Sequence, residues 1–260
     1  MSGPKPRPSG LRFSESAHRY WLDGKPVPGV TTIIGKGIPK PALPYWAAKS
    51  VAEYVVQNPD GVRALWEMGE APAIAALKAV PWQKRDEAAV RGTDVHALAE
   101  QIINGAEVEV PDHLLAHVEG YAHWLDEWAV EPIITEQPVG HRALWYAGTL
   151  DAVVRFGRGP WAEQTALLDW KTSSGVYGET ALQTAAYAGA EFYGLAGQEQ
   201  PLPQIDHIGV VHITAQGSAL YDLGDHAEAF RVFQHVHYLA SRTDWLKNLV
   251  GDPMEMEQTA

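Results

Sequence analysis

The stretch Leu167 to Tyr187, LLDWKTSSGVYGETALQTAAY, sets an acid and a lysine two residues apart at the end of an apolar run. On a strand, side chains alternate with period two, so Asp169 and Lys171 project from one face and Trp170 from the other. A second buried carboxylate beside Asp169 would repel it unless a cation bridged the two, which would point to a metal. Asp151 in YAGTLDAVV is that candidate, with Gly148 allowing close backbone approach. A D-x-K triplet carries little weight by itself. The chain holds another in Asp23-Gly24-Lys25, which reads as a solvated hairpin turn. Leu167 and Leu168 before Asp169, and a helical pattern after it, place the second triplet at the edge of a core. Taken in isolation, that pair is equally a strand-end ion pair.

His96 in RGTDVHALAE is one of 11 histidines, a residue type with many structural uses, and only a partnership with the acids would raise it to a ligand. Gln183 and Tyr187 stand four apart, hence on one face of a helix, which is a common amphipathic pattern.

In chain order, RGTDVHALAE, YAGTLDAVV, LLDWKTS and LQTAAY resemble the RecB-like and phage-type exonuclease branch of the PD-(D/E)XK nuclease superfamily. The resemblance covers about residues 91 to 190, and HRYWLDGKPVPGVTTII with LPYWAAKSVAEY is similar to the start of phage exonucleases of this group. It implies an α/β fold with a restriction-endonuclease-like core, a central mixed sheet flanked by helices, and a helical N-terminal elaboration. His96, Asp151, Asp169 and the Trp170 carbonyl would hold one or two Mg²⁺ or Mn²⁺ ions. Lys171 would orient the attacking water, Gln183 and Tyr187 match the Q-x-x-x-Y helix, and Glu136 is a secondary, supporting candidate. The implied activity is metal-dependent hydrolysis of DNA from its ends, in phage recombination or end processing. An endonuclease on the same core and a non-catalytic DNA-binding scaffold are the alternatives. DNA is the implied partner, with a single-strand annealing protein as a further one, in a host bacterial cytoplasm; the oligomeric state stays open. The iron–sulfur members of the group staple this domain with cysteines. This chain has none, so no iron–sulfur cluster is expected.

Composition sets the wider frame. The 260 residues are 46% hydrophobic, as a packed domain requires, and the formal net charge is −12. That charge argues against coating nucleic acid by bulk electrostatics, but it leaves room for a local basic surface, since charges beyond about 8 Å are screened at physiological salt. Lys84, Arg85, Arg91 and Arg142 are the first candidates for contact with DNA. No apolar run approaches the roughly 18 residues of a membrane span, and the start MSGPKPRPSG is polar, so a cytoplasmic protein is expected.

Four tracts must position the chemistry. Residues 11 to 34 read as a short β-hairpin through Asp23-Gly24, with β-branched character resuming from Val27 to Ile34. Residues 41 to 130 show helical periodicity, with Asn104-Gly105 as a stop and Asp112 as an N-cap. Strands follow at 132–139, 144–156 and 165–171, then a helix at 179–195, strands at 205–214 and 218–223, and a closing helix from 225 to 249. We expect one domain over 11–250, in which 11–90 is the N-terminal elaboration and 91–250 the catalytic core, with flexible tails at 1–10 and 251–260.

Overall fold

Thr165–Lys171 forms a strand in which every residue from Ala166 to Trp170 is buried, as a strand covered on both faces must be. The computed structural model describes residues 10–14, 17 and 19–254, with the side chains of all but Ala88 and Arg91. The tails expected at 1–10 and 251–260 lie largely outside these residues.

The chain opens with three short strands, β1 (Arg12–Ser14), β2 (Arg19–Leu22) and β3 (Lys25–Val27), paired antiparallel in that order. Asp23 and Gly24 join β2 to β3 with φ of 51° and 78°, the two left-handed residues that a type I′ turn needs. Helices α1 (Val30–Gly37), α2 (Ala42–Gln57), α3 (Pro59–Glu67), α4 (Glu70–Ile103) and α5 (Leu115–Trp128) follow. The strands β4 (Val130–His141), β5 (Tyr146–Phe156) and β6 (Thr165–Lys171) lead to α6 (Glu179–Ala188). The chain then forms β7 (Phe192–Leu195), β8 (Gln198–Gln200), β9 (His207–Thr214), β10 (Gly217–Asp222) and α7 (His226–Lys247).

The second sheet has seven strands in the order β10-β9-β6-β5-β4-β7-β8. Only β6 and β9 run parallel, so the sheet is mixed and its central strands are reached by a crossover through α6. Helices cover both faces. Leu167 packs into a cluster with Val30, Ile33, Leu182 and Phe233, from α1, α6 and α7. Leu168 and Trp170 pack oppositely, with Val95 and Leu98 of α4 and Val118, Tyr121 and Trp124 of α5. The architecture is therefore α/β, as expected. Among the described residues no helix is long and apolar enough to cross a membrane.

Several sequence expectations need correction. Val30 to Ile34 is not a strand but the start of α1, because Val30, Ile33 and Ile34 recur at helical spacing and are buried together, overriding their β propensity. Asp112 caps no α-helix; it opens a single 3₁₀ turn, and α5 starts after Leu114 without a side-chain cap. The helix expected to run to Leu195 ends at Ala188. A Cβ on Gly189 would lie 2.7 Å from the Phe230 ring, and beyond it Phe192 pairs with Gly140 as part of β7, between β4 and β8. Asp225 does cap α7, accepting from the Ala227 and Glu228 amides.

One close approach fixes how α5 lies on the sheet. A Cβ on Gly120 would sit 2.9 Å from the Gly217 Cα, where only backbone is available to give way. Gly120→Ala is expected to lower stability by about 1–3 kcal/mol, read as a drop in urea midpoint at constant slope. An unchanged midpoint would show that α5 shifts freely against β10.

Candidate metal centre

The site forms where β5 and β6 part. Their pairing runs from Arg155 opposite Thr165 to Ala152 opposite Leu168 and stops there. Past that point β6 stays with β9, through Asp169 opposite Val210 and Lys171 opposite His212. The Trp170 amide then donates to the Asp151 carboxylate at 2.7 Å, so a side chain takes the place of a strand partner. A buried N–H must find an acceptor, and this one fixes Asp151.

Three elements converge on that carboxylate. His96, on α4, has its Nδ1 3.8 Å from Asp151 Oδ2. Its imidazole meets the Trp170 ring edge-on, with the Trp170 backbone close by. Glu136 comes from β4, where Thr135 faces Ala152 and Gln137 faces Leu150, so the register sets Glu136 across from Asp151. Glu136 has φ of 46°, a left-handed conformation that an extended strand residue does not adopt unforced. Donor atoms of His96, Glu136 and Asp151 all lie within 4.8 Å of one another.

Asp169 sits beside this group with partners of its own. Gln183 Nε2, from α6, donates to Asp169 Oδ1 at 2.8 Å, and the Lys171 ammonium pairs with Oδ2. Gln183 Nε2 also lies 3.3 Å from the Tyr187 hydroxyl. The Tyr187 ring occupies the space above Gly148, where a Cβ would come within 2.4 Å of Cε1. Gly148 thus serves the close approach of this ring.

The electrostatics are those of too many acids in one dry place. Burial pushes Asp151 up to about 6, against the opposing pull of Lys171 and the Trp170 amide. Burial, and next the Asp151 charge, push Asp169 up to about 7. Glu136 rises to about 8, again chiefly through burial, with Asp151, Glu100 and Asp169 adding to it. Burial lowers the His96 imidazole, which favours the neutral form that a ligand needs. Carboxylate oxygens, a carbonyl and one imidazole nitrogen are a donor set for Mg²⁺ or Mn²⁺, and a divalent ion is what such a cluster lacks for charge balance. The residues present therefore fit the metal.

The structure thus brings together His96, Asp151, the Trp170 carbonyl, Asp169, Lys171, Gln183 and Tyr187. It makes Glu136 a full member of the convergent group, while Asp169 is occupied by Lys171 and Gln183. Two participants escaped the sequence reading. Glu100 stands one turn after His96 on α4, and that i, i+4 spacing was the available signal. Tyr20 reaches over from β2, its hydroxyl 2.9 Å from Thr149 Oγ1. No local pattern announces that contact.

The basic candidates fare differently. Arg142 is not positioned to meet DNA: its guanidinium binds Asp23 at 2.7 and 3.0 Å, pairs with Glu199, and lies over the Phe192 ring. With its donors used in this way, it ties the hairpin turn to the sheet. Lys84 pairs with Glu53 at 3.1 Å, and Arg85 pairs with Asp86 while covering Trp82. The Arg91 side chain lies outside the described residues.

No family model and no curated protein matches this chain. Among solved structures, one described as "Crystal structure of SSO0001" is similar over 54% of this chain and 63% of that chain, at 18% identity with a TM-score of 0.27. The match spans less than two thirds of that chain.

The raised carboxylates make a signed prediction. Acids whose folded pKa exceeds the unfolded value stabilise the fold below the unfolded value and lose that contribution as pH rises through the folded one. In chelator, stability should fall from about pH 4 to about pH 8, following Asp151, Asp169 and Glu136 in turn. Glu136→Gln should flatten the upper part of that fall. Mn²⁺ added at pH 8 should raise Tm in the unaltered protein and not in Asp151→Asn. A Tm indifferent to Mn²⁺ in both would remove the ion from this site.

Proposed function

We propose that the chain is a metal-dependent deoxyribonuclease that hydrolyses phosphodiester bonds from DNA ends, built on a restriction-endonuclease-like core. The observation that carries this reading is the meeting of Asp151 and Asp169 from adjacent strands with Lys171, His96 and Gln183 at one end of one sheet. These are the residues of the ordered motifs, drawn from segments far apart in the chain.

Each residue has work to do in the reaction. His96, Glu136, Asp151 and the Trp170 carbonyl would hold Mg²⁺ or Mn²⁺. A bound ion supplies Lewis acidity toward the phosphate and offsets the added negative charge as water joins phosphorus and the ester oxygen leaves. Asp169, fixed by Gln183 on one oxygen, steers the Lys171 ammonium with the other. Lys171 orients the attacking water and stabilises charge that develops on the phosphoryl oxygens. Tyr187, seated over Gly148, fixes Gln183 from behind.

The test uses end-labelled linear DNA and a closed circle, with Mg²⁺, Mn²⁺ or EDTA. Linear DNA should shorten only with metal, and Asp151→Ala and Asp169→Ala should abolish cutting. Lys171→Ala should retain the metal-dependent rise in Tm yet lose turnover by about 10²–10³-fold. Cutting of the circle would make the enzyme an endonuclease. No cutting under any condition would leave a DNA-binding scaffold.

A further inference from the structure

From Gly24 to Ala52 the chain contains Lys25, Lys36, Lys40 and Lys49 and no acidic residue. The whole chain has 32 acids in 260 residues, roughly one in eight, so a run this long without one is a marked departure from its own composition. The tract comprises β3, α1 and most of α2, and all four lysines are exposed. Lys40 pairs with Glu179 at 3.1 Å, and Lys49 lies 3.6 Å from Glu53, a carboxylate that also serves Lys84. Lys36 has the Asp244 carboxylate of α7 near it, which also pairs with Lys247. Glu53 and Asp244 are thus each shared by two ammonium groups, which leaves the surface positive.

The same tract exposes aromatic rings. Tyr45 is 79% exposed and Trp46 41% exposed. Both lie at the start of α2, whose first turn has no acidic residue and no side-chain cap, so its amide dipoles add to the positive field. A cation alone meets any nucleic acid backbone. An exposed ring beside it offers a face that only an unpaired base can cover.

The tract also borders the metal centre at two points. Lys40 is joined to Glu179, at the start of the helix that carries Gln183. At the other end Tyr20, on the strand paired to β3, bonds Thr149, two residues before Asp151 on β5.

We infer that this acid-free strip, with Tyr45 and Trp46 as stacking surfaces and Lys36 and Lys49 as phosphate contacts, binds single-stranded nucleic acid leading into the site. This rests on the nuclease reading for its direction and deepens it by naming the form of the strand. Rings on the strip take the bases, and the lysines follow the backbone.

The experiment measures fluorescence anisotropy of a labelled oligothymidylate and of a blunt duplex of equal length, with the full chain in EDTA so that nothing is cut. Tyr45→Ala with Trp46→Ala should weaken oligothymidylate binding about tenfold or more while duplex binding changes about twofold or less. Lys36→Gln with Lys49→Gln should reduce the salt dependence for both. Trp66→Ala, exposed on α3 outside the strip, should change neither. Tyr45→Phe with Trp46→Phe should retain binding, and unchanged melting of each variant shows that the fold is intact. Wild-type affinity for oligothymidylate in the double alanine variant would overturn the inference, as would self-association that depends on these rings without oligothymidylate binding. If linear DNA is cut yet the alanine variant binds normally, the strip fails and the nuclease reading stands. If binding depends on the rings but no DNA is cut, the nuclease reading fails and the strip stands.

Discussion

Asp151 and Asp169 face one ammonium group, that of Lys171, at the end of β5 and β6, and Glu136 of β4 adds a third carboxylate beside them. Desolvation penalises each charge, and mutual repulsion penalises them again. Much of the local architecture is arranged around that imbalance. The parting of β5 from β6 lets a backbone amide point at Asp151, and Gln183 reaches from α6 to satisfy Asp169. The left-handed backbone at Glu136 aims a third carboxylate at the same place, in a strand that would pack more easily without it. A fold selected for stability alone would replace these groups with apolar ones. Strain and buried carboxylates gathered at one point make this the candidate site.

How much of this was legible in the sequence depended on the range of the interaction. β6 was read from its apolar run, and the shared face of Asp169 and Lys171 follows from period two alone; both hold in the structure. The i, i+4 pair Gln183 and Tyr187 was equally local, and the two side chains do touch. What failed was governed by tertiary context. Val30 to Ile34 has strand propensity, yet burial against α6 and α7 selects a helix. Arg142 reads as a surface cation, but Asp23 and Glu199, one far before it and one far after, claim it. The φ of 46° at Glu136 interrupts an extended strand, and nothing in the local pattern ITEQPV marks it.

The absence of cysteine raises a separate mechanical question, since the N-terminal segment must be held against the sheet without covalent staples. Several short contacts do this together. The Pro28 carbonyl accepts from the Ala147 amide at 3.1 Å, Tyr20 bonds Thr149, and Arg142 grips the Asp23 turn. Gly37 lets α1 press on α7, where a Cβ would lie 2.6 Å from a Val236 methyl carbon. Each contact is modest, and those on β5 anchor the hairpin next to the strand that carries Asp151. Positioning of the N-terminal elaboration and positioning of the site are thereby the same problem, solved on one strand.

Charge also bears on the order of binding. With all three carboxylates ionised, Lys171 leaves the cluster net negative, and an approaching phosphodiester is repelled by the residues proposed to act on it. A divalent ion reverses that sign locally, where screening by solvent is weakest. On the nuclease reading, the strand therefore reaches the catalytic groups only once metal is present, while the acid-free strip, distinct from the cluster, can hold it beforehand. A net charge of −12 is then no obstacle. On the same reading it would keep nucleic acid from adhering elsewhere and leave two places to receive it, the strip permanently and the cluster only with the ion bound.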